Sequence, residues 1–527
     1  MRTRAVAVVG RVQPAWSVFA TLIIGTLVVT TARWGPDWPA QEFRSALARS
    51  SGLVVWDDQW YGGHALLGYS SLYPVISGVL GASVTGLAAV CVAAYAAVRL
   101  IPDDLPHRED IGFAVVVAGV LGSNLLIGQI PFLLSAALGL CSLVSLQGRP
   151  VWLTIALSVA CGLASPLGGA FLLMATPALA VRTGWPRAFT LAGAAIAIPV
   201  ALVLGGASGP FPCPWTSLVG VAAFCAGLLV STTSRDRVLR RFTFVYLLAG
   251  AVAFAVPNPI GGNITRIGKL IALPLAVYLF VLRPQRRRAW PAVPALLGAA
   301  AWFVVPAASA AVHGAADPSR QVSYYTGLLS YLRTQDPTQG RLEIPFTREH
   351  WEAAYVASHY PIARGWERQT DLQYNAVLYA PLTAQSYRSW LDHQAVDLIA
   401  LPSVPLDQGG QAEARLLRQP PAYLTRVWSD RHWTVWRVRN AVPLASGDAR
   451  LTHLGPAQVR VDFARPGSVT VRVRWTLLWN TTSSTACVLP SSDKWLQVRS
   501  SVPGVVSVDA DLNSAVLSRH YDCDLPG

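Results

Sequence analysis

Apolar runs of about 16 to 21 residues, cut by short polar breaks, fill the chain up to residue 312. Each is close to the length that crosses the hydrocarbon core of a bilayer. They predict helices at 16–33, 83–99, 111–128, 131–147, 151–165, 167–182, 187–206, 215–232, 242–257, 266–282 and 290–312, about eleven spans in all. A further apolar stretch at 72–82 is too short to span and is interrupted by Pro74 and Gly78, so it predicts an interfacial or re-entrant helix. After a linker at 313–320 the pattern changes. Helices are expected over 324–333 and 384–393, strands over 342–346 and 397–401, and a hairpin over 424–438, an α/β combination. From 451 onward the period is two: Val459, Val461 and Phe463, then Val469, Val471 and Val473, with turns at Pro466-Gly467 and Pro503-Gly504. That alternation predicts a small β-sandwich. The expected architecture is a polytopic α-helical membrane domain over 1–312 with an outer loop at 34–82, an α/β domain over 313–450 and a β-sandwich over 451–527.

Charge orients this picture. Only 13% of residues are charged, against about 25% in soluble domains. The net charge is +14, but the basic residues are nearly all Arg and fall at alternate breaks. One set of loops carries Arg99 and Arg108, then Arg149, then Arg182 and Arg187, then Arg235, Arg237, Arg240 and Arg241, then Arg283, Arg286, Arg287 and Arg288. The breaks near Gln129, Ser165 and Pro210 carry no Lys or Arg. This is the positive-inside pattern. It predicts a multi-pass plasma-membrane protein with a cytoplasmic N-terminus, the loop at 34–82 outside and, with an odd helix count, an extracytoplasmic C-terminal region. The first apolar run follows Arg2, Arg4 and Arg11 as a signal peptide would, but no small-residue cleavage pattern precedes Trp34, so an uncleaved spanning helix is expected. The basic run at 283–288 suits anionic lipid at the inner surface. No basic, aromatic-interleaved cluster supports nucleic acid as a partner.

Of seven cysteines, Cys91, Cys141, Cys161, Cys213 and Cys225 lie in or beside apolar runs and read as small buried residues. Cys487 and Cys523 are the two in the C-terminal part, which suggests one disulfide and an oxidising exterior. There is no CxxC or His-rich metal pattern.

Candidate chemistry concentrates after the first helix. Asp37, between Trp34 and Trp38, could serve as a general base; an N-cap on a helix beginning at Pro39 is the competing and compatible reading. Gln41 stands four residues on, and Glu42 follows as a weaker candidate. Asp57 and Asp58, between Trp56 and Trp60, could hold a divalent cation (Mg or Mn) or a sugar ring, or form an exposed turn between interfacial tryptophans. His64 could bind a phosphate or a hydroxyl, or be structural. Arg266 and Lys269 open a spanning helix, where backbone N–H groups and cations favour a lipid phosphate; snorkelling to headgroups is the alternative. In the C-terminal part, His350, Trp351, Glu352, Arg364, Trp366, Glu367 and Arg368 could bind an acceptor carbohydrate or form a polar interface with the membrane part.

The loop motif WDDQWYGGHALLGYSSLYP (56–74), after an acidic residue near the loop's start, resembles the GT-C superfamily of integral-membrane glycosyltransferases. With GQIPF (128–132), Ala164-Ser165-Pro166, GGNITR (261–266) and PFTREHWEAAYV (345–356), the chain more closely resembles an actinobacterial group of membrane proteins related to that superfamily. The resemblance covers nearly the whole chain. It implies a polyprenyl-phosphate-sugar donor, an outward-facing cavity and an aspartate in the first outer loop as base, a position matched by Asp37. The second acidic motif often found in a later outer loop of that superfamily is missing here. The expected function is inverting transfer of a sugar to an extracytoplasmic cell-envelope glycan or lipid acceptor, with Glu42, Asp57, Asp58 and His64 positioning donor or metal, and Arg266 and Lys269 holding lipid phosphate. Two rivals stand beside it: a non-catalytic envelope scaffold that binds polysaccharide, and a lipid-linked-saccharide transporter, which lacks its usual inverted repeats.

Overall fold

The computed structural model describes residues 14–31, 33, 35–101, 110–203, 209–280 and 293–512. Arg2, Arg4, Arg11, Trp34, Arg108, the basic run at 283–288 and Cys523, all used above, lie outside the described residues. The chain divides into two compact units. The first comprises Met1–Gly35, Ser70–Val200 and Pro210–Ala315; the second comprises Pro36–Tyr69, Ala201–Gly209 and Ala316–Gly527. The loop expected at 34–82 is therefore shared: 36–69 packs within the second unit and Ser70 onward within the first.

In chain order the elements begin with α1 (Pro14–Thr31), α2 (Trp38–Ser51) and the short strands β1 (Trp56–Asp57) and β2 (His64–Ala65). Helices follow: α3 (Tyr73–Leu80), α4 (Ala82–Arg99), α5 (Asp110–Ile127), α6 (Ile130–Leu146), α7 (Val151–Ala164), α8 (Pro166–Thr183), α9 (Trp185–Ala188), α10 (Ala197–Val203), α11 (Trp215–Ser231), α12 (Arg237–Ala255), α13 (Thr265–Phe280) and α14 (Val293–Ala315). Among the described residues, helix lies within each of the predicted apolar runs. The run over 187–206 is broken, with a 3₁₀ segment, Phe189–Ile196, between α9 and α10. The short helix expected near 72–82 is α3, eight residues opened by Pro74.

Among the described residues, four helices are long and apolar enough to cross a membrane: Pro14–Thr31, Ala82–Arg99, Arg237–Ala255 and Gly261–Phe280. Four more, at 111–127, 130–146, 151–164 and 215–231, are apolar but shorter. Their outer surfaces carry large apolar side chains, among them Phe19, Leu27, Trp215 and Leu248 at 56–67% exposure. Apolar surface on that scale faces lipid, and it places the chain in a membrane. The interior of this unit is an aromatic and aliphatic cluster around Phe132, Phe171, Val221, Phe224 and Tyr246.

The second unit combines α15 (Val322–Leu332), β3 (Arg341–Glu343), α16 (Glu352–Tyr355), α17 (Arg368–Tyr374), α18 (Ala384–His393), β4 (Val396–Pro402), α19 (Gln411–Leu417), β5 (Leu424–Ser429) and β6 (Trp433–Val438). These strands form one sheet in the order β3-β4-β6-β5, with β3 parallel to β4 and the other pairs antiparallel. The expected α/β combination is present. Strands β7 (Ala445–Gly447), β8 (Ala449–Gly455), β9 (Gln458–Phe463), β10 (Gly467–Arg474), β11 (Trp479–Asn480), β12 (Ala486–Pro490), β13 (Trp495–Ser500) and β14 (Gly504–Ala510) follow. They form two antiparallel four-stranded sheets, β12-β13-β10-β7 and β11-β14-β9-β8. Val459, Val461, Val469, Val471 and Val473 are fully buried while their neighbours in sequence are not, the alternation of a sandwich with one face of each sheet inside.

Candidate functional site

Asp37 occupies the N-cap position of α2 with φ −82° and ψ −17°, and its side chain makes no capping bond to the helix. The capping reading is therefore not what holds the residue, since an N-cap side chain needs extended backbone to reach the N2 or N3 amide. Asp37 is half-buried, and so is Glu42. One side of α2 turns inward: Trp38, Gln41, Phe43, Arg44 and Leu47 are all buried.

Helix α2 packs on α16, and the loop that follows is pinned to the second unit by directional bonds. Arg44 forms an ion pair with Glu367 and lies over the Tyr69 ring at 4.3 Å. Trp60 stacks on Phe43 at 4.3 Å and donates its indole N–H to the Ala353 carbonyl at 3.0 Å. The Arg474 amide donates to the Gly62 carbonyl at 2.6 Å and its guanidinium to the Tyr61 carbonyl at 2.9 Å. Gly63, at φ +117°, has no room for a side chain: a Cβ there would lie 2.7 Å from the Trp56 ring.

Asp57, Asp58 and His64 sit inside this packing at 0%, 0% and 3% exposure. Asp57 and His64 face each other across β1 and β2, with His64 Nδ1 3.7 Å from Asp57 Oδ2. Asp57 Oδ1 accepts the Gln59 amide at 3.2 Å, and Asp58 Oδ1 accepts the Trp56 indole N–H at 2.7 Å. Burial pushes the Asp57 carboxyl up to about 7. Burial, then the charge of Asp57, holds Asp58 well above the usual carboxylate range. Burial brings the His64 imidazole down to about 4. At neutral pH His64 is uncharged. The three residues expected to position a donor or a metal are thus buried, and the bonds described for them run within the loop itself. Among the described residues no three His, Cys, Asp or Glu side chains gather as metal ligands.

The residues expected to bind an acceptor are likewise interior. His350, Trp351, Glu352, Arg364 and Trp366 are 1–8% exposed, and the Glu367 side chain is 8% exposed. Arg364 makes two bonds to Asp371, at 3.0 and 2.7 Å, and one to Glu413 at 2.7 Å. Glu343, 3.7 Å from Arg364, is held well above the carboxylate range by burial and by Glu413. His350 lies flat on Trp366 with ring centroids 3.3 Å apart. Glu352 accepts from Thr347 twice. These side chains face the interior of the unit rather than an open surface. Arg368 is bound to Asp407 at 2.8 Å and only half-buried.

One open surface contains none of the expected site residues. A groove of about 550 Å³ runs along α18, lined by Val377, Thr383, Gln385, Ser386, Ser389, Trp390 and His393. It is uncharged, with hydroxyls and an amide above an apolar floor. The His393 imidazole is shifted downward by burial and by Arg474 and Arg472. The signal was legible in principle: Thr383 and Ser386 form a capping box, and Ser386, Ser389 and His393 recur at helical spacing.

In the first unit, Arg266 and Lys269 stand three residues apart in the first turns of α13, half-buried, with Arg266 over the Phe132 ring at 5.7 Å. The approach is shaped by Asn258, whose Oδ1 accepts the amides of Ile260 and Gly261, both at 2.9 Å. Gly261, at φ +45°, passes so close to the Phe211 carbonyl that a Cβ would lie 2.0 Å from it. Tyr246 donates to the Ile264 carbonyl at 2.9 Å and fixes the turn into the helix. The two cations lie on one face at the positive end of the helix dipole.

Cys487 is buried on β12; the expected pairing with Cys523 falls on a residue outside those described. No family model matches the chain, and no curated protein matches it. Among solved structures it is similar to the crystal structure of ArnT from Cupriavidus metallidurans in the apo state, at 12% identity and a TM-score of 0.38, over 80% of this chain and 97% of that one. The likeness is too distant to transfer a role to any residue.

Proposed function

We propose that the chain is an integral-membrane glycosyltransferase of the GT-C type. In this reading it moves a sugar from a polyprenyl-phosphate donor to an extracytoplasmic glycan or glycolipid acceptor, with inversion. The observation that carries the assignment of the base is the contrast within one loop. Asp57 and Asp58 are sealed, whereas the Asp37 side chain is half-buried at the start of α2. Asp37 takes the proton from the acceptor hydroxyl as its oxygen attacks the anomeric carbon. The bond from that carbon to the phosphate oxygen breaks, and the lipid phosphate leaves with the electron pair. In the first unit, Arg266 and Lys269 are the cations offered to a lipid phosphate. The uncharged groove along α18 supplies hydroxyl partners for the acceptor glycan. Transfer by the purified chain from a polyprenyl-phosphate sugar, and its loss in Asp37→Asn, tests the reading.

A non-catalytic envelope scaffold is the second reading. It is favoured by the burial of the acidic pair and of the Arg364 network, which makes much of the polar chemistry structural. Retention of a neutral glycan without turnover of any lipid-linked sugar would support it over the first.

A further inference from the structure

The first unit carries a second feature, one that the transfer reaction does not use. A groove of about 630 Å³ lies between α1 and α4, lined by Pro14, Ala15, Val18, Phe19, Leu22, Tyr95 and Arg99. That volume is within the ~300–1,000 Å³ of small-molecule sites. Pro14, Val18 and Leu22 recur every four residues on α1, and Tyr95 and Arg99 are four apart on α4, so each helix offers one continuous face. The groove is apolar along its length and polar at one end only. Phe19, Leu22 and Tyr95 are 44–56% exposed. Arg99 is exposed and makes no ion pair or hydrogen bond among the described residues.

The placement follows from helix length. The 18 residues of α4 span about 27 Å, close to the ~30 Å hydrocarbon core. Arg99, in the last turn, reaches headgroup level while the α1 wall runs back into the acyl region. We infer that this groove binds one anionic membrane lipid, with its phosphate diester on Arg99 beside the Tyr95 hydroxyl and an acyl chain along Val18, Phe19 and Leu22. Guanidinium and hydroxyl donors at one end and hydrocarbon beyond match the two halves of such a molecule. An Arg at a helix C-terminus also complements the helix dipole, but that role asks for no groove.

Native mass spectrometry of the full chain, delipidated in detergent and then offered phosphatidylglycerol or phosphatidylcholine, tests the inference. Wild type is expected to retain phosphatidylglycerol at least fivefold better than phosphatidylcholine. Arg99→Gln should bring the two to parity, and Arg99→Lys should keep most of the preference. Leu22→Trp, which fills the groove, should lower retention of phosphatidylglycerol several-fold with Arg99 intact. Both Arg99→Gln and Leu22→Trp change exposed positions, so elution as wild type on size exclusion is expected. Equal retention of the two lipids by wild type, an unchanged preference in Arg99→Gln, or full retention in Leu22→Trp would overturn it. So would release of the bound lipid by millimolar inorganic phosphate, which would make the site one for free phosphate.

Discussion

The Tyr61 hydroxyl donates to the Gly365 carbonyl at 2.6 Å and receives the Glu367 amide at 2.8 Å, joining residues 304 and 306 positions apart. With the Arg44–Glu367 ion pair and the Trp60 indole on Ala353, it makes the segment at 36–69 part of the second unit's interior. The position of Asp37 is thereby set by residues of that unit far away in sequence.

Gly365 sits directly under this joint. A Cβ there would lie 2.2 Å from the Trp60 ring. Gly365→Ala should displace the loop, at a cost of about 1–3 kcal/mol or more. Limited proteolysis of the detergent-solubilised chain should then cut between residues 36 and 69 at a protease concentration that leaves wild type whole.

Arg364 answers three buried carboxyl groups at once. Arg364→Gln removes the one charge that compensates Asp371 and Glu413. The loss should be about 3–5 kcal/mol, the scale for breaking a buried ion pair from one side. A fall in the melting temperature of the second unit, followed by tryptophan fluorescence, is the expected readout.

Asp57 links stability to pH in a defined window. Its carboxyl stands at about 7 in the fold against 3.8 ordinarily, so between those values the folded chain holds a proton that the unfolded chain has lost. Its contribution is therefore greatest below pH 4 and declines as pH rises to 7. His64 runs the other way: held at about 4 against 6.5, it contributes fully above pH 6.5 and less as pH falls towards 4. Asp57→Asn keeps an acceptor for Gln59, removes the first dependence and relieves the repulsion that raises Asp58. The mutant's melting temperature should gain on wild type steadily from pH 4 to 7 and level off above, at up to about 1.4 kcal/mol per pH unit. A difference that does not vary with pH would contradict the assignment.

Arg266→Gln should weaken recognition of the lipid phosphate. The expected result is a KM for the polyprenyl-phosphate donor raised about tenfold or more, the cost of one charge-assisted contact of about 1.5–3 kcal/mol. An unchanged KM in this variant would remove the phosphate from α13.

Much of this was legible along the chain. The apolar runs located the helices of the first unit, and period-two alternation at Val459 and Val469 located the sandwich, because both patterns answer to local geometry. What the sequence withheld was burial. Asp57-Asp58 between tryptophans reads equally as an exposed turn or a binding pair. Only the distant partners, Trp479 beside Trp56 and Arg341 close to Gly62, show that it lies inside. Likewise the run from His350 to Arg368, dense in charge, reads as a carbohydrate-binding surface or as a polar interface. Within the fold Arg364 turns to Asp371 and Glu413, partners beyond the run. The α18 groove was overlooked for the opposite reason, since hydroxyls and an amide carry little signal in one dimension.

The central claim is that Asp37 is the base of a glycosyl transfer, and the most direct measurement is single-turnover transfer. The purified chain in liposomes is given a radiolabelled polyprenyl-phosphate sugar and cell-envelope glycan, and labelled glycan is followed with time. Wild type should form it, and Asp37→Asn, with the fold and melting temperature of wild type, should be slower by about two to four orders of magnitude, the contribution of a general base. Wild-type rates in Asp37→Asn would contradict the account.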